Sequence, residues 1–326
     1  MIATLLIAAA SLAPAGPCAA CHATQHEQWR TSRHADSLGS PLYRGMREWA
    51  RADAGEEVAS RCATCHSLAD PAGDGRTGAV VCEACHQALA GAGGPASLAI
   101  DRALPVAAAR AVEAPHALVA DPSLPAGGRC LACHAELKNP AGVPVCTTGP
   151  EVAGRAGGPG CVTCHMPDAG HDFAGASPAV LRRAAQLAVD RRGGEVVVSV
   201  INRGAGHALP TGSALRAVRL EVEFRDASGA PLGGNQADAA ASFMRVLRDA
   251  GGSSPVPPWR AAAVARDSRL APGERRSFVY AVPPGAAAVT ARLVYQRAPA
   301  PILGQLGIAA AGPFAPIEMA RFELSL

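Results

Sequence analysis

The chain has 326 residues, room for two domains, with 49% hydrophobic and 17% charged residues and a formal net charge of +3. These values exclude a disordered tail and give no footprint for nucleic acid. Aromatics make up only 4%, so something other than Phe, Tyr and Trp is expected to fill part of the interior.

Residues 1–13 are an apolar run of Ile, Leu and Ala ending in small residues. The run reads as a secretory signal within residues 1–15, too short to span a bilayer. Next comes Cys18-Ala-Ala-Cys21-His22, then a predicted helix over 24–34 that carries His26 and His34. Further helices are expected over 42–53 and 56–65, the latter running into Cys62-Ala-Thr-Cys65-His66. Asp70-Pro71-Ala72-Gly73-Asp74-Gly75 has strong turn chemistry. Cys82-Glu-Ala-Cys85-His86 follows, then an Ala/Gly-rich stretch over 88–98 expected to be flexible, and His116. Cys130-Leu-Ala-Cys133-His134, the isolated Cys146, Cys161-Val-Thr-Cys164-His165 and His171 complete the cysteine-bearing part. Ser177 as cap and Pro178 at the first position open a helix expected to reach about Asp190, ended by Gly193-Gly194.

Beyond that point there is no cysteine and the periodicity changes. Strands are predicted over 195–201, 215–224, 242–247, 277–282, 289–295 and 321–326. Several alternate, as Val218, Leu220, Val222 and Phe224 do against Arg219, Glu221 and Glu223. Six or seven short strands suggest an immunoglobulin-like β-sandwich over 193–326. The predicted architecture is therefore α+β and multidomain, with a mainly helical or irregular region over 16–192 before the sandwich. A glycine-rich loop over 202–212 sits between two strands and holds His207.

Ten of the 11 cysteines form five Cys-x-x-Cys pairs, each followed by His. This is the attachment signature of c-type haem. Two cysteines on one helical turn add to the two vinyl groups of one haem, and the adjacent His then points at the iron. Zinc sites also pair cysteines this way but do not require His after every pair. Chance placement of five histidines has a probability on the order of 10⁻⁸. Five haem c groups are expected, and porphyrins would supply the missing core. Covalent attachment and the signal-like start agree on an exported, periplasmic or cell-surface protein. Cys146 is expected to be a spare thiol.

The proximal ligands are then His22, His66, His86, His134 and His165. Five other histidines remain, as many as there are haems: His26, His34, His116, His171 and His207. If all bind, every iron is six-coordinate and bis-His, with low potential and no place for a substrate. His26 lies on the helical face of His22, so it would have to serve a neighbouring haem.

The segment from Cys18 to His34, with Trp29 and Ser32-Arg33-His34-Ala35, resembles the first haem segment of cytochrome c-554-type multihaem cytochromes. Similar motifs follow in order: Cys62 to Ser67, Val81 to His86, Pro115-His116-Ala117, Cys130 to His134, Cys164 to Pro167, His171 to Gly175, and Gly206 to Gly212. The resemblance implies a haem-packed helical region and electron transfer. It supports His34, His116, His171 and His207 as distal ligands. His26 stands where such proteins are expected to have tyrosine.

An electron carrier is the leading expectation, with redox proteins or other multihaem cytochromes as partners. Membrane association would be peripheral at most. The alternatives are an enzyme of the nitrite or hydroxylamine type with one open haem, and a self-assembling subunit of a haem filament. The Cys-x-x-Cys-Lys motif expected of pentahaem nitrite reductases does not occur.

Overall fold

The computed structural model describes residues 17–67, 79–89, 99–110, 112–153, 160–232 and 241–326. The signal-like run, the turn over 70–75 and most of 88–98 lie outside the described residues. The chain forms two compact units. One is Met1–Leu124 with Asp168–Phe173; the other is Pro125–Pro167 with Ala174–Leu326.

The first unit is helical and irregular. Its helices are α1 (Ala23–Arg30), α2 (Pro41–Ala54), α3 (Glu56–Ser60), α4 (Ala63–His66) and α5 (Cys82–His86). Pro41 begins α2 at a position where a missing N–H costs nothing. Two short strands, β1 (Ala88–Leu89) and β2 (Ala99–Ile100), pair antiparallel. Two more, β3 (Val106–Ala108) and β4 (Leu118–Ala120), pair parallel. The indole Nε1 of Trp29 donates to the Val80 carbonyl at 2.8 Å, fastening α1 to the segment before α5. Ala50, Ala59, Ala63, Ala79, Ala84 and Ala107 are all buried here. Alanines bury little area each, so side chains alone make a thin core.

Along the chain, α6 (Ser123–Ala126) straddles the change of unit. The second unit then has β5 (Leu137–Lys138) paired with β6 (Pro144–Cys146), α7 (Thr148–Ala153), α8 (Cys161–His165) and α9 (Pro178–Ala184). The rest is β-rich: β7 (Ala185–Arg192), β8 (Glu195–Asn202), β9 (Ala217–Arg225), β10 (Pro231–Leu232), β11 (Ser242–Arg248), β12 (Ala263–Asp267), β13 (Arg275–Ala281), β14 (Ala288–Gln296) and β15 (Ile317–Ser325). The short helix α10 (Ala300–Gln305) precedes β15. One sheet runs β12-β11-β9-β14-β15, with β10 also on β9; the other runs β13-β8-β7. Their strand pairs are antiparallel.

Alternation builds the core of this unit. Val196, Val198 and Val200 of β8 share one buried cluster with Val218, Leu220 and Val222 of β9. Each buried Val or Leu contributes roughly 1.5–3 kcal/mol.

The helix expected to reach Asp190 stops at Ala184. Its predicted cap is present, since the Ser177 hydroxyl accepts from the Val180 N–H. From Ala185 onward Leu187 and Val189 are buried while Gln186 and Asp190 are exposed, a period of two. Gly193, at φ 61°, then turns β7 into β8 rather than ending a helix. Pairing with β8 satisfies backbone groups that a helix would otherwise have satisfied.

Candidate haem sites

Each Cys-x-x-Cys-His run occupies a single tight turn. The third and fifth are α5 and α8. In the first, second and fourth, the His N–H bonds to the carbonyl of the leading cysteine: His22 to Cys18 at 2.8 Å, His66 to Cys62 at 3.2 Å, His134 to Cys130 at 2.8 Å. Such a turn holds both thiols and the imidazole in a fixed relation.

Three pairs of histidines stand out. His22 faces His116, His86 faces His171, and His165 faces His207, each with ring centres 6.3 Å apart. Stacked rings in contact would sit about 3.5–4 Å apart. An imidazole nitrogen lies about 2 Å from a metal it binds, so two imidazoles on opposite sides of one iron have centres roughly 6 Å apart. The observed spacing matches that second case. The ring planes are 10° apart for His165 and His207, 17° for His86 and His171, and 52° for His22 and His116. In every pair one member belongs to a Cys-x-x-Cys-His run and the other to the remaining five histidines.

The far sides of these rings meet backbone carbonyls. Nδ1 of His86 lies 2.7 Å from the Ala107 carbonyl, that of His171 2.9 Å from Ala169, that of His165 3.1 Å from Ala174, and that of His207 2.9 Å from Ala208. A proton on Nδ1 completes each bond and leaves Nε2 with a free lone pair, the arrangement metal-binding histidines adopt. These residues therefore fit haem iron between them. Burial holds His34, His66, His171 and His207 below the ordinary histidine value, so they are neutral near pH 7, as ligation requires.

An aromatic ring packs against the second run. Tyr43 of α2 stacks on His66 with centres 4.6 Å apart. The Ser37 hydroxyl donates to the His66 carbonyl at 2.8 Å. His34 is close enough to His66 for the two to interact electrostatically. Phe173 lies edge-on to His34.

In the first unit the thiols of Cys18 and Cys82 come within hydrogen-bonding reach. In the second unit those of Cys130 and Cys161 do the same. Gly127, at φ 81°, makes the latter approach possible: a Cβ there would lie 2.9 Å from Cβ of Cys161.

The imidazole of His26, half-buried on α1, lies 5.5 Å from the Trp29 ring, and none of the three spaced pairs includes it or His134. Cys146 ends β6 beside Thr148, 3.7 Å from its hydroxyl. Tyr43 and Glu151 were not singled out in the sequence. Phe173 lay within the His171 to Gly175 motif.

A family profile described as cytochrome c554 and c-prime matches residues 17–87. The fold is similar to that of a penta-heme cytochrome c552 from Thermochromatium tepidum. The TM-score is 0.78 at 26% identity, covering 95% of this chain and 97% of that one. No curated protein matches. With five attachment motifs, imidazoles spaced for iron and these two likenesses, the chain is similar to multihaem c-type cytochromes over nearly its whole length.

Proposed function

We propose that this protein is an electron carrier holding five haem c groups, mostly ligated by two histidines each. Each haem supplies a one-electron iron couple. Cys18 and Cys21, Cys62 and Cys65, Cys82 and Cys85, Cys130 and Cys133, and Cys161 and Cys164 tether the five groups. His22, His66, His86, His134 and His165 are the proximal ligands. His116, His171 and His207 close the first, third and fifth sites, and His34 closes the second. His26 remains a candidate distal ligand with no site assigned to it.

The observation that carries this reading is the 6.3 Å spacing shared by the three histidine pairs. Two imidazoles on an iron lower its potential and exclude exogenous ligands. Thiols within hydrogen-bonding reach bring the first and third motifs together, and likewise the fourth and fifth. The thioether edges of those haems are then neighbours, which suits transfer between them. The two-sheet region, read as a sandwich, contributes His207. An exported protein with redox proteins as partners follows from covalent haem and the signal-like start. Among the described residues no helix is long and apolar enough to cross a membrane.

The test is intact mass together with carbon monoxide binding. The mass should exceed that of the processed chain by five haems, and the reduced spectrum should not respond to the gas. Fast binding at one haem in five would favour the enzyme with an open iron, and a shortfall in mass would remove a site.

A further inference from the structure

The loop that carries His207 has no regular structure of its own, so its orientation must be imposed by neighbours. One side is fixed by the sheets. Asn202 Nδ2 donates to the His207 carbonyl at 2.9 Å, and Leu209 and Leu270 exchange backbone bonds at 2.9 and 3.0 Å. The other side is fixed by one carboxylate. Glu151 on α7 takes the Ala208 N–H at 3.1 Å and the Thr211 hydroxyl at 2.5 Å on Oε2. On Oε1 it takes the Thr147 hydroxyl at 2.5 Å and Arg269 Nη1 at 2.6 Å.

Arg269 also bonds Asp267, and Asp267 bonds Arg245, whose guanidinium reaches Thr147 at 2.9 Å. The side chains of Arg245 and Arg269 are each 8% exposed and that of Glu151 12%. Two carboxylates face two guanidiniums, so the cluster is neutral as a whole. Burying three of these charges, with Asp267 35% exposed beside them, is a poor route to stability, because desolvation offsets most of the attraction and apolar residues of the same size often do as well. What apolar residues cannot do is grip two donors that flank the cis Leu209-Pro210 bond, one on the residue next to His207.

We propose that Glu151 is the positioning residue for His207: its carboxylate fixes the ligand's ring plane at the fifth haem, and its charge, balanced by Arg269, sets that haem's potential. This rests on His207 being the distal ligand there. Removing the charge of Glu151 leaves the cluster with one uncompensated positive charge. A positive charge near the haem disfavours the ferric state, which itself carries a net positive charge, so the potential rises. Coulomb's law for one charge in a partly buried setting gives a shift of about tenfold in the ratio of reduced to oxidised haem.

The test uses the holoprotein, with a redox titration followed by low-temperature EPR. In Glu151→Gln, one haem of five should become easier to reduce by about tenfold, and the signal of the His165–His207 haem should change shape while the others hold. In the double variant Glu151→Gln, Arg269→Gln the charges balance again, and that haem should return toward its original potential. A purely structural glutamate would leave the potentials of both variants unchanged, or shift several haems together; either result overturns the proposal. If Glu151→Gln does not mature, Thr211→Val removes one bond of the grip, and an EPR signal identical to the parent's overturns the ring-plane claim. His207→Ala is the control. One high-spin haem there, with no effect in Glu151→Gln, sinks Glu151 and spares the ligand assignment. No high-spin haem in His207→Ala sinks both.

Discussion

The ring of Phe173 stands edge-on to the imidazole of His34, with centres 4.3 Å apart and planes at 65°. The same ring lies 5.9 Å from His171, so one side chain braces two of the assigned distal ligands. Its backbone is held at φ 47°, in a segment where Asp168 and Ala169 also have positive φ. Among the described residues these are the only non-glycines in that region of backbone space. Left-handed backbone costs a bulky residue about 1–2 kcal/mol, and such strain gathers where function over-determines the structure.

Phe173 therefore yields an ordering. Phe173→Ala should destabilise the holoprotein by roughly 2 kcal/mol through the lost ring. Phe173→Gly loses the same ring but relaxes the backbone, and should be the more stable of the two by about 1 kcal/mol. Denaturant titration of the three proteins checks the order. Alanine equal to or better than glycine would mean that the strain carries no energy.

Each assigned distal histidine can be removed singly. His116→Ala and His171→Ala should each turn one haem of five high-spin and open it to carbon monoxide, leaving the total haem count unchanged. Difference spectra of the reduced proteins read this directly. A silent variant would free its histidine from the iron.

Gly127 makes a steric prediction. Gly127→Ala places a methyl group 2.9 Å from Cβ of Cys161 and forces a positive φ on a residue that resists it. The fifth motif must then shift, at a cost of at least about 1–2 kcal/mol. Intact mass should show a fraction of molecules one haem short, whereas uniform five-haem material would show that the contact yields freely.

Acid should loosen the charged cluster of the second unit. Burial alone would raise the Asp267 value, but the guanidiniums of Arg269 and Arg245 outweigh it and hold it at about 2. A lowered carboxylate contributes stability above its unfolded value near 4 and loses it as pH falls toward 2. Thermal melts between pH 5 and 2 should therefore fall more steeply for the parent than for Asp267→Asn. Parallel curves would mean that the pairing contributes nothing.

The attachment motifs are legible in the sequence, because five residues in a row spell each one. The strands β8, β9 and β14 were legible because their buried valines and leucines alternate with polar residues. The strand β7 was not, since Leu181, Ala184 and Ala185 also suit a helical face and only pairing with β8 decides between the two. Nor was β12 legible: its residues are mostly exposed, so no buried alternation marks it. Histidine partnerships escaped the sequence for a different reason. A count shows that ligands suffice, but His86 and His171 meet only through the fold. The same holds for Glu151 and Arg269, whose ion pair joins α7 to the segment after β12.

The residues Asp168–Phe173 belong with the first unit although the chain on both sides of them belongs to the second. If His171 closes the third site as proposed, a polypeptide emerging N-terminus first cannot finish that site until the fifth motif has already been made. His116 likewise follows the third motif, and His207 follows all five. On that assignment, maturation must keep half-built centres open while the chain is still being made. A gene cut after the third motif would encode tethered haems that wait for imidazoles never translated.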